Sequence, residues 1–268
     1  MLAALNSAFR NLIWKFWYPI VSRTLNDSQG SHLTFMNYGY SHPALNPQSL
    51  PLSQEDEDNR FFIHLYHQAA AHVDLKDLEV LEVSSGHGGG ASYLARYLKP
   101  RKMLGLERNP RAVEFCRQHY DLPNLSFIPG DAQALHLSLP AESVDVVINV
   151  EASHSYGLQD RFFQGVSSVL RPGGYFLTTD FRSLEGLKTW KSQLAASGLK
   201  IVKEVDITIH VIAALDQINQ SRLELIRTRS PKMLHFLYKQ FAGVKGSKIY
   251  QKFTSGEMVY MTFALQKI

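Results

Sequence analysis

The pattern of hydrophobic and polar positions changes after residue 79. From there on, short apolar runs that end at polar or glycine-rich turns alternate with longer amphipathic segments. The apolar runs predict strands buried on both faces of a sheet, and the amphipathic segments predict helices. Strands are predicted at 79–84, 102–107, 125–129, 144–150, 175–180, 199–206 and 257–266, and helices at 55–73, 91–98, 110–120, 158–170, 184–196 and 214–240, the last one broken at Pro231. This alternation predicts an α/β fold with a mostly parallel sheet.

Composition and charge narrow the class of protein. Hydrophobic residues make up 45% of the 268 residues and charged residues 19%, an ordinary mixture for a chain that buries a core. The net charge of +4 is too small to indicate a nucleic-acid-binding surface, so we expect no nucleic-acid partner. Cys116 is the single cysteine, which excludes an internal disulfide and a cysteine metal cluster. We therefore expect a cytoplasmic protein that needs no metal.

A glycine-rich turn follows the first predicted strand. Residues 80–90 read Val-Leu-Glu-Val-Ser-Ser-Gly-His-Gly-Gly-Gly, a strand that passes through a turn into a helix. Gly86 and Gly88 would let a ligand approach the backbone closely. Glu107 ends the second strand 21 residues after Gly86, where a carboxylate can accept hydrogen bonds from two ribose hydroxyls. The spacing also matches the dinucleotide fingerprint, so these features fit NAD and S-adenosylmethionine (SAM) equally well.

Residues around the other strands separate these two cofactors. Asp131 and Ala132 follow the third strand, Glu82 lies inside the first, and Leu-Arg-Pro-Gly-Gly (170–174) precedes the fifth. Together with the glycine-rich turn they resemble the class I SAM-dependent methyltransferases, which more usually have glycine where Ser84 stands. The resemblance implies a Rossmann-like sheet of seven strands, mostly parallel with an antiparallel last strand, and helical lid elements. The SAM contacts that it implies are Glu82, Ser84, Gly86, Gly88, Glu107, Asp131, Ala132 and Asn149.

The loop after the fourth strand is expected to face the methyl group that is transferred. It reads Asn-Val-Glu-Ala-Ser-His-Ser-Tyr over residues 149–156. It lacks the Asn/Asp-Pro-Pro-Tyr/Phe string of DNA and protein-amide N-methyltransferases, and Cys116 is misplaced for a cytosine-C5 enzyme. His154 is the candidate general base, since histidine titrates near pH ~6.5, and Glu151 would orient it or bind substrate. The alternatives are a structural hydrogen bond for His154 and a loop-ordering role for Glu151.

Longer sequence strings point to a narrower group within this family. Asn59-Arg60 with His64-Leu-Tyr-His67, the glycine-rich turn, the 149–154 string and Trp17-Tyr18-Pro19 are similar to the mycobacterial phthiotriolone/phenolphthiotriolone dimycocerosates methyltransferases. The similarity covers most of the chain and weakens after about residue 206. It implies O-methylation of a hydroxyl on a small hydrophobic, lipid or polyketide-type acceptor. C- or N-methylation of a sterol-like small molecule, NAD-dependent oxidoreduction and SAM binding without catalysis stay open as alternatives.

Segments outside the predicted sheet are expected to cover its ligand-binding edge. We assign residues 1–73 to N-terminal helices and a lid, residues 74–268 to the methyltransferase domain, and residues 207–256 to a helical lid insertion. Tyr38 and Tyr40 lie in an Asn-Tyr-Gly-Tyr string. By similarity to such strings in small-molecule methyltransferases, both would belong to the lid over SAM and acceptor.

Two amphipathic segments carry further expectations. Residues 1–23 predict a helix rich in aromatic side chains, but polar residues interrupt its apolar run, so it fits neither a spanning helix nor a signal peptide. We expect it to cap the active-site cleft or to contact a membrane surface peripherally, and the two roles are compatible. Further along, Arg222, Arg227 and Arg229 predict the solvated basic face of a helix.

Overall fold

The computed structural model describes residues 33–46 and 48–268, and these residues include a seven-stranded sheet. The strands are β1 (Glu79–Val83), β2 (Lys102–Glu107), β3 (Leu125–Pro129), β4 (Val144–Val150), β5 (Leu170–Ser183), β6 (Leu199–Asp206) and β7 (Met258–Lys267). They lie in the order β3-β2-β1-β4-β5-β7-β6. Strands β1 to β5 pair in parallel, and β7 runs antiparallel between β5 and β6. The predicted α/β fold with an antiparallel last strand is therefore confirmed.

Helices cover both faces of this sheet. They are α1 (Arg60–Ala70), α2 (Gly89–Tyr93), α3 (Pro110–His119), α4 (Gln159–Val169), α5 (Leu184–Ala195), α6 (Thr208–Arg229), α7 (His235–Phe241) and α8 (Lys248–Thr254). A π-helical stretch, Leu94–Leu98, continues α2, and short 3-10 turns lie at Glu57–Asn59, Ala132–Leu137, Ser153–Ser155 and Lys232–Leu234. Residues 1–23, predicted to form a helix, lie outside the described residues.

Local sequence explains where several helices begin and end. The Asn109 side chain caps α3 by accepting a hydrogen bond from Arg111 N, and Pro110 occupies the first helical position. Ser183 caps α5 in the same way through Gly186 N, at 3.1 Å. The predicted break at Pro231 separates α6 from α7. Helix α6 starts at residue 208 rather than at 214, and α8 was not predicted.

Alternation along β4 builds the core on both faces of the sheet. Val146 and Ile148 belong to one apolar cluster with Ile63 of α1, whereas Val147 belongs to another with Phe162 of α4. All five side chains are fully buried. Burial of each contributes about 1.5–3 kcal/mol, which holds α1 and α4 on opposite faces. Polar residues are therefore left to the ends of the strands.

The Leu-Arg-Pro-Gly-Gly string forms an irregular start of β5 rather than a turn before it. Residues 171–174 are displaced from the β4–β5 ladder by a shift in register. Arg171 forms ion pairs with Asp145 (2.8 Å) and Glu79 (2.7 Å), which lie at the starts of β4 and β1. The string therefore anchors the amino-terminal edge of the sheet, opposite the edge where the parallel strands end.

The connection between β6 and β7 consists of α6, α7 and α8. Helices α6 and α8 both contact β7, and the Tyr250 hydroxyl of α8 donates to Asp216 of α6 at 2.7 Å. Across the described part of the chain, no helix combines the length and apolar character needed to cross a bilayer.

Candidate cofactor and acceptor site

The candidate site residues follow the ends of parallel strands, so they gather at one edge of the sheet. Gly86 N donates to Glu107 Oε2 at 3.1 Å, which joins the loop after β1 to the end of β2. Asn149 Nδ2 donates to Val83 O at 2.9 Å, which joins the end of β4 to that of β1. The glycine-rich turn, Glu107 and Asn149 therefore lie together, as the sequence predicted.

The glycine-rich turn reverses direction through left-handed backbone. Ser84, Gly86 and Gly88 have φ values of 62°, 56° and 79°. Glycine adopts this conformation without steric cost, whereas serine does not. The Ser84 hydroxyl is held by the Tyr156 hydroxyl at 2.6 Å. This contact stabilises a residue where the resembling family more usually has glycine.

Protein packing already requires glycine at three positions of this segment. A Cβ atom added at Gly90 would lie 2.0 Å from the Tyr66 ring, and one at Gly88 would lie 2.7 Å from the Tyr120 ring. At Gly89 it would lie 2.7 Å from the carbonyl oxygen of Thr34. The sequence predicted that Gly88 gives a ligand access to the backbone. In the structure, neighbouring side chains are sufficient to explain glycine there.

Glu82 brings a carboxyl group into the core beside the glycine-rich turn. It is 1% exposed, and Oε1 accepts a hydrogen bond from the Tyr66 hydroxyl at 2.7 Å. Oε2 has no hydrogen-bond partner among the described residues. Burial raises the pKa of Glu82 to about 8, against the opposing effect of the Tyr66 hydrogen bond. An unpaired buried carboxyl oxygen suits a ligand that brings an N–H donor or a positive charge.

Asn149 offers a second unpaired acceptor nearby. It is fully buried, and its Nδ2 is engaged by Val83 O and lies 3.1 Å from the Tyr156 hydroxyl. Its Oδ1 has no hydrogen-bond partner within the described residues. Glu82 is in register with Ile148 and binds Tyr66 of α1, whereas Asn149, the next residue of β4, binds Tyr156 on the opposite face of the sheet. Each unpaired oxygen can accept a hydrogen bond from a polar ligand beside the glycine-rich turn, so these residues fit SAM.

Glu107 is fixed by backbone donors at the end of β2. Its two carboxyl oxygens accept from Gly86 N (3.1 Å) and Asn109 N (2.8 Å). It is buried, and burial raises the pKa of Glu107 although these hydrogen bonds oppose the shift. Each oxygen retains a second lone pair, so the group can still accept from ligand hydroxyls.

Asp131 lies next to Glu107 but is more exposed. Gly130 N donates to Glu107 O at 3.0 Å, which sets the two acids side by side. The Asp131 side chain is 41% exposed, and its Oδ1 accepts from Gln133 N at 2.9 Å. Ala132 beside it is buried. The ribose and adenine contacts that the resemblance implies for these two acids stay predictions.

His154 is bonded to an acid that the sequence did not single out. His154 Nδ1 lies 2.8 Å from Asp180 Oδ1. Asp180 lies near the carboxyl end of β5 and is fully buried. Asp180 Oδ2 accepts from the Ser153 hydroxyl (2.8 Å) and lies 3.0 Å from Arg182. Burial alone would raise the pKa of Asp180, but the positive charge of Arg182 and the hydrogen bonds with His154 and Ser153 hold it well below its ordinary value. The available sequence signal was an acid inside an apolar strand.

Glu151 binds residue 38 and β7. Its backbone is left-handed, with φ of 47°. Its Oε1 accepts from Tyr38 N (2.7 Å) and from the Tyr260 hydroxyl (2.5 Å). Burial raises the pKa of Glu151 to about 8, although both hydrogen bonds act in the opposite direction. The carboxylate bonded to His154 is thus Asp180, whereas Glu151 joins residue 38 to β7.

Tyr38 and Tyr40 have different surroundings. The Tyr38 ring packs on Phe181 at 5.5 Å between centroids, and Phe181 packs on the His154 imidazole at 4.5 Å. The Tyr40 ring packs instead on His210 of α6, at 5.1 Å. Tyr38 therefore reaches the neighbourhood of His154, whereas Tyr40 contacts the beginning of α6.

Arg222 of α6 crosses over this region and was missed by the sequence prediction of a solvated basic face. Its Nη2 donates to Asn37 O at 2.7 Å, and its Nη1 donates to Ala242 O. The guanidinium lies over the rings of Phe62 (5.2 Å) and Tyr38 (5.9 Å). Burial lowers the pKa of Arg222 to about 10, so it remains charged at neutral pH. Arg222 therefore links α6 to residue 37 and to the residue that follows α7.

Solved structures share this fold. The geranyl diphosphate C-methyltransferase of Streptomyces coelicolor superimposes with a TM-score of 0.64 at 16% identity, over 94% of this chain and 98% of that chain. The cyclopropane synthase MmaA2 of Mycobacterium tuberculosis does so with a TM-score of 0.61 at 14% identity, over 93% and 98%. At these identities the likeness shows the fold alone.

Sequence comparison identifies the family. A family model described as a methyltransferase domain matches residues 74–249. The phthiotriol/phenolphthiotriol dimycocerosates methyltransferase of Mycobacterium tuberculosis is 39% identical over 255 residues, 95% of this chain and 92% of that protein. The fatty-acid O-methyltransferase of Mycolicibacterium smegmatis is 37% identical over 254 residues, 94% of this chain and 89% of that protein. The chain therefore belongs to the methyltransferase-domain family and is a class I SAM-dependent methyltransferase.

Proposed function

We propose that this enzyme methylates a hydroxyl oxygen of a long-chain lipid acceptor. The observation that carries the proposal is the His154–Asp180 pair, in which Nδ1 lies 2.8 Å from Oδ1. Because the low pKa of Asp180 keeps that carboxyl ionised, Nδ1 carries the ring proton and donates it to the carboxylate. In this arrangement Nε2 is the ring nitrogen that would accept a proton, as a general base requires.

Bound SAM would supply an electrophilic methyl group on sulfur. As the acceptor hydroxyl becomes a methyl ether, its proton has to leave, and His154 Nε2 accepts it. Asp180 then stabilises the imidazolium, because the carboxylate is fully buried and already bonded to Nδ1. Phe181 packs on the imidazole at 4.5 Å and restrains its ring plane. The pair therefore positions the base before the acceptor arrives.

The cofactor would be held by groups from four loops. The unpaired oxygens of Glu82 and Asn149 would each accept from polar groups of the methionine part. Glu107 would accept from the ribose hydroxyls, and Asp131 with Ala132 would hold the adenine. These assignments agree with the clustering of the loops at one edge of the sheet, and they stay predictions until ligand binding is measured.

A lipid acceptor is supported by the aromatic surroundings of His154. The Phe181 ring lies 5.5 Å from Tyr38, 5.8 Å from Phe253 and 5.9 Å from Tyr260. These rings make the surroundings of His154 apolar, which favours an apolar chain over a polar metabolite. The names of the mycobacterial relatives, which refer to dimycocerosate lipids and fatty acids, point in the same direction.

A carboxylate is the second candidate acceptor, because a relative at 37% identity is a fatty-acid O-methyltransferase. A fatty acid is ionised at neutral pH, so its oxygen is nucleophilic without a base. The two acceptors therefore predict different consequences of losing His154. Ether formation needs a proton acceptor, whereas ester formation needs only positioning.

Methyl transfer from labelled SAM tests both candidates. The enzyme is offered a long-chain diol and the fatty acid of equal chain length. The labelled product is then treated with mild alkali, which cleaves a methyl ester but not a methyl ether. We expect an alkali-stable ether from wild type, and a loss of about 10²–10⁴ in its rate with His154→Gln. His72→Gln, at an exposed histidine, is the matched control.

Other products would contradict the proposal. Label on a carbon atom of the acceptor would replace the proposal by a C-methyltransferase activity. An alkali-labile product that His154→Gln forms at the wild-type rate would establish the fatty-acid activity. Diol methylation that is unaffected by His154→Gln would remove the assigned base.

A further inference from the structure

Helix α7 and the turn before it expose an apolar surface. Met233 is 91% exposed, Phe236 65% and Leu237 46%. The last two follow Met233 by three and four positions, a spacing that sets side chains on one side of a helix. Large apolar side chains that are exposed together mark a surface that binds a partner.

The same region has an unusual charge distribution. Residues 225–256 contain seven lysines and arginines and no aspartate or glutamate. This excess is larger than the net charge of +4 of the whole chain, so the remaining residues are net negative. Lys232 and Lys239 are exposed beside the apolar side chains. The positive charge is thus concentrated around the exposed apolar surface.

The inner side of α7 faces the candidate acceptor region. Tyr38, whose amide binds Glu151, donates through its hydroxyl to Phe241 O at 3.4 Å. Arg222 binds the carbonyl of the next residue, Ala242. The end of α7 therefore contacts the residues beside His154, while its other side is exposed.

We propose that Met233, Phe236, Leu237, Lys232 and Lys239, here called the lid patch, dock onto an anionic lipid bilayer. Apolar side chains that enter the headgroup region and flanking cations that bind anionic lipid are the features of an interfacial helix. Stacking on RNA bases would need exposed aromatic rings in series, whereas two of these three side chains are aliphatic. Docking here would deliver a lipid acceptor from the bilayer to the site, and this last step rests on the proposed function.

Sedimentation with vesicles tests the docking directly. Full-length protein is mixed with vesicles of phosphatidylglycerol and phosphatidylcholine, or of phosphatidylcholine alone, in low and high salt. We expect binding to the anionic vesicles that weakens with salt. Met233→Ser/Phe236→Ser/Leu237→Ser should reduce it about tenfold or more, and Lys232→Gln/Lys239→Gln by about fivefold for each lysine. All five positions are exposed, so the variants should keep the wild-type melting temperature.

Matched variants elsewhere on the surface provide controls. Ile268→Ser removes an apolar side chain that is 81% exposed, and Lys76→Gln/Lys188→Gln removes two exposed lysines. Both should bind vesicles like wild type. Absence of vesicle binding, or unchanged binding by the triple serine variant, would overturn the proposal. Binding to single-stranded RNA in place of vesicles, lost on lysine replacement, would overturn it in favour of a nucleic-acid partner.

A water-soluble, short-chain acceptor separates this inference from the proposed function. The lid-patch variants should methylate that acceptor at the wild-type rate, because they leave the His154–Asp180 pair intact. They should be slower only with acceptor embedded in vesicles. Failure of wild type to methylate either form would count against the proposed function and leave the docking result standing.

Discussion

Ser84 combines an unfavourable backbone conformation with a compensating side-chain contact. Its φ of 62° costs about 1 kcal/mol for a non-glycine residue, and its hydroxyl bonds to Tyr156 at 2.6 Å. Ser84→Ala loses the hydrogen bond and keeps the strain, whereas Ser84→Gly loses the bond and relieves the strain. We therefore expect Ser84→Gly to be more stable than Ser84→Ala by about 1 kcal/mol. Denaturant unfolding measures this difference, and equal or reversed stabilities would contradict it.

The His154–Asp180 pair yields a prediction about non-additive kinetics. Asp180→Asn keeps the size of the side chain but removes the charge that fixes Nδ1 as the donor. We expect Asp180→Asn and His154→Gln each to lower turnover by about 10²–10⁴ with little change in SAM affinity. The proposed function makes the two residues one unit, so the double variant should be no slower than the slower single variant.

Steady-state kinetics and SAM titration of the three variants test this unit. Asp145→Asn is the matched control, since it removes another strand aspartate that pairs with Arg171 at the opposite edge of the sheet. It should leave turnover unchanged at a temperature where it is folded. Rate losses that multiply in the double variant would mean that Asp180 and His154 act independently.

At the scale of whole elements, Arg222 determines how α6 sits over the sheet. It joins α6 to Asn37 O and Ala242 O and covers the ring of Tyr38. Arg222→Met leaves both carbonyls without this donor, at a cost of about 1–3 kcal/mol for each buried group. We expect lower stability and a higher KM for the acceptor, with SAM affinity nearly unchanged.

Conservative and exposed replacements sharpen the Arg222 test. Arg222→Lys keeps the charge but cannot reach two carbonyls in a fork, so it should recover only part of the stability. Arg227→Met, at a side chain that is 74% exposed, should behave like wild type. An unchanged acceptor KM in Arg222→Met would show that α6 does not shape the acceptor site.

Elements whose pattern is local were predictable from the sequence. Strands β2, β3, β4 and β6 have their predicted bounds, because each is a β-favouring run enclosed by turn residues. The start of α6 was missed since residues 208–213 are rich in β-branched side chains, yet packing of Val211 in the core makes them helical. Tertiary packing overrides local preference there.

The candidate site residues likewise divide into those that local sequence predicts and those that depend on contacts distant in sequence. Glu82, Glu107 and Asn149 were predictable because a strand end and its register determine where their side chains lie. Asp180 and Arg222 were not, because their partners are distant in sequence. Arg222 binds residues 37 and 242, and no spacing rule connects those positions. Long-range hydrogen bonds are visible only once the chain is folded.

For the molecule as a whole, two carboxyl groups that are costly to ionise determine the pH dependence of stability. Burial raises the pKa of Glu82 and of Glu151 to about 8, from an ordinary value of 4.5. Between those values the unfolded chain releases protons that the folded chain retains. The free energy of unfolding should therefore fall as pH rises from about 4.5 to about 8, and then level off. Asp180 acts oppositely, but only in acid, because its pKa is held below the ordinary value. Burial lowers the pKa of His64 to about 4, from an ordinary value of 6.5, so His64 opposes the fall between those values and the decline should be steepest from about pH 6.5 to about pH 8.

Urea unfolding of the ligand-free protein at about pH 5.5 and about pH 8.5 measures this slope, which should amount to a few kcal/mol across the interval. Glutamine cannot ionise, and its Oε1 still accepts from Tyr66 or from Tyr38 and Tyr260. Glu82→Gln and Glu151→Gln should therefore each remove about half of the loss and be more stable than wild type at the higher pH. Glu55→Gln, at an exposed acid, should keep the wild-type slope. A wild-type stability that rises across this interval, or two glutamine variants that retain its full decline, would show that Glu82 and Glu151 are ionised in the folded protein at neutral pH.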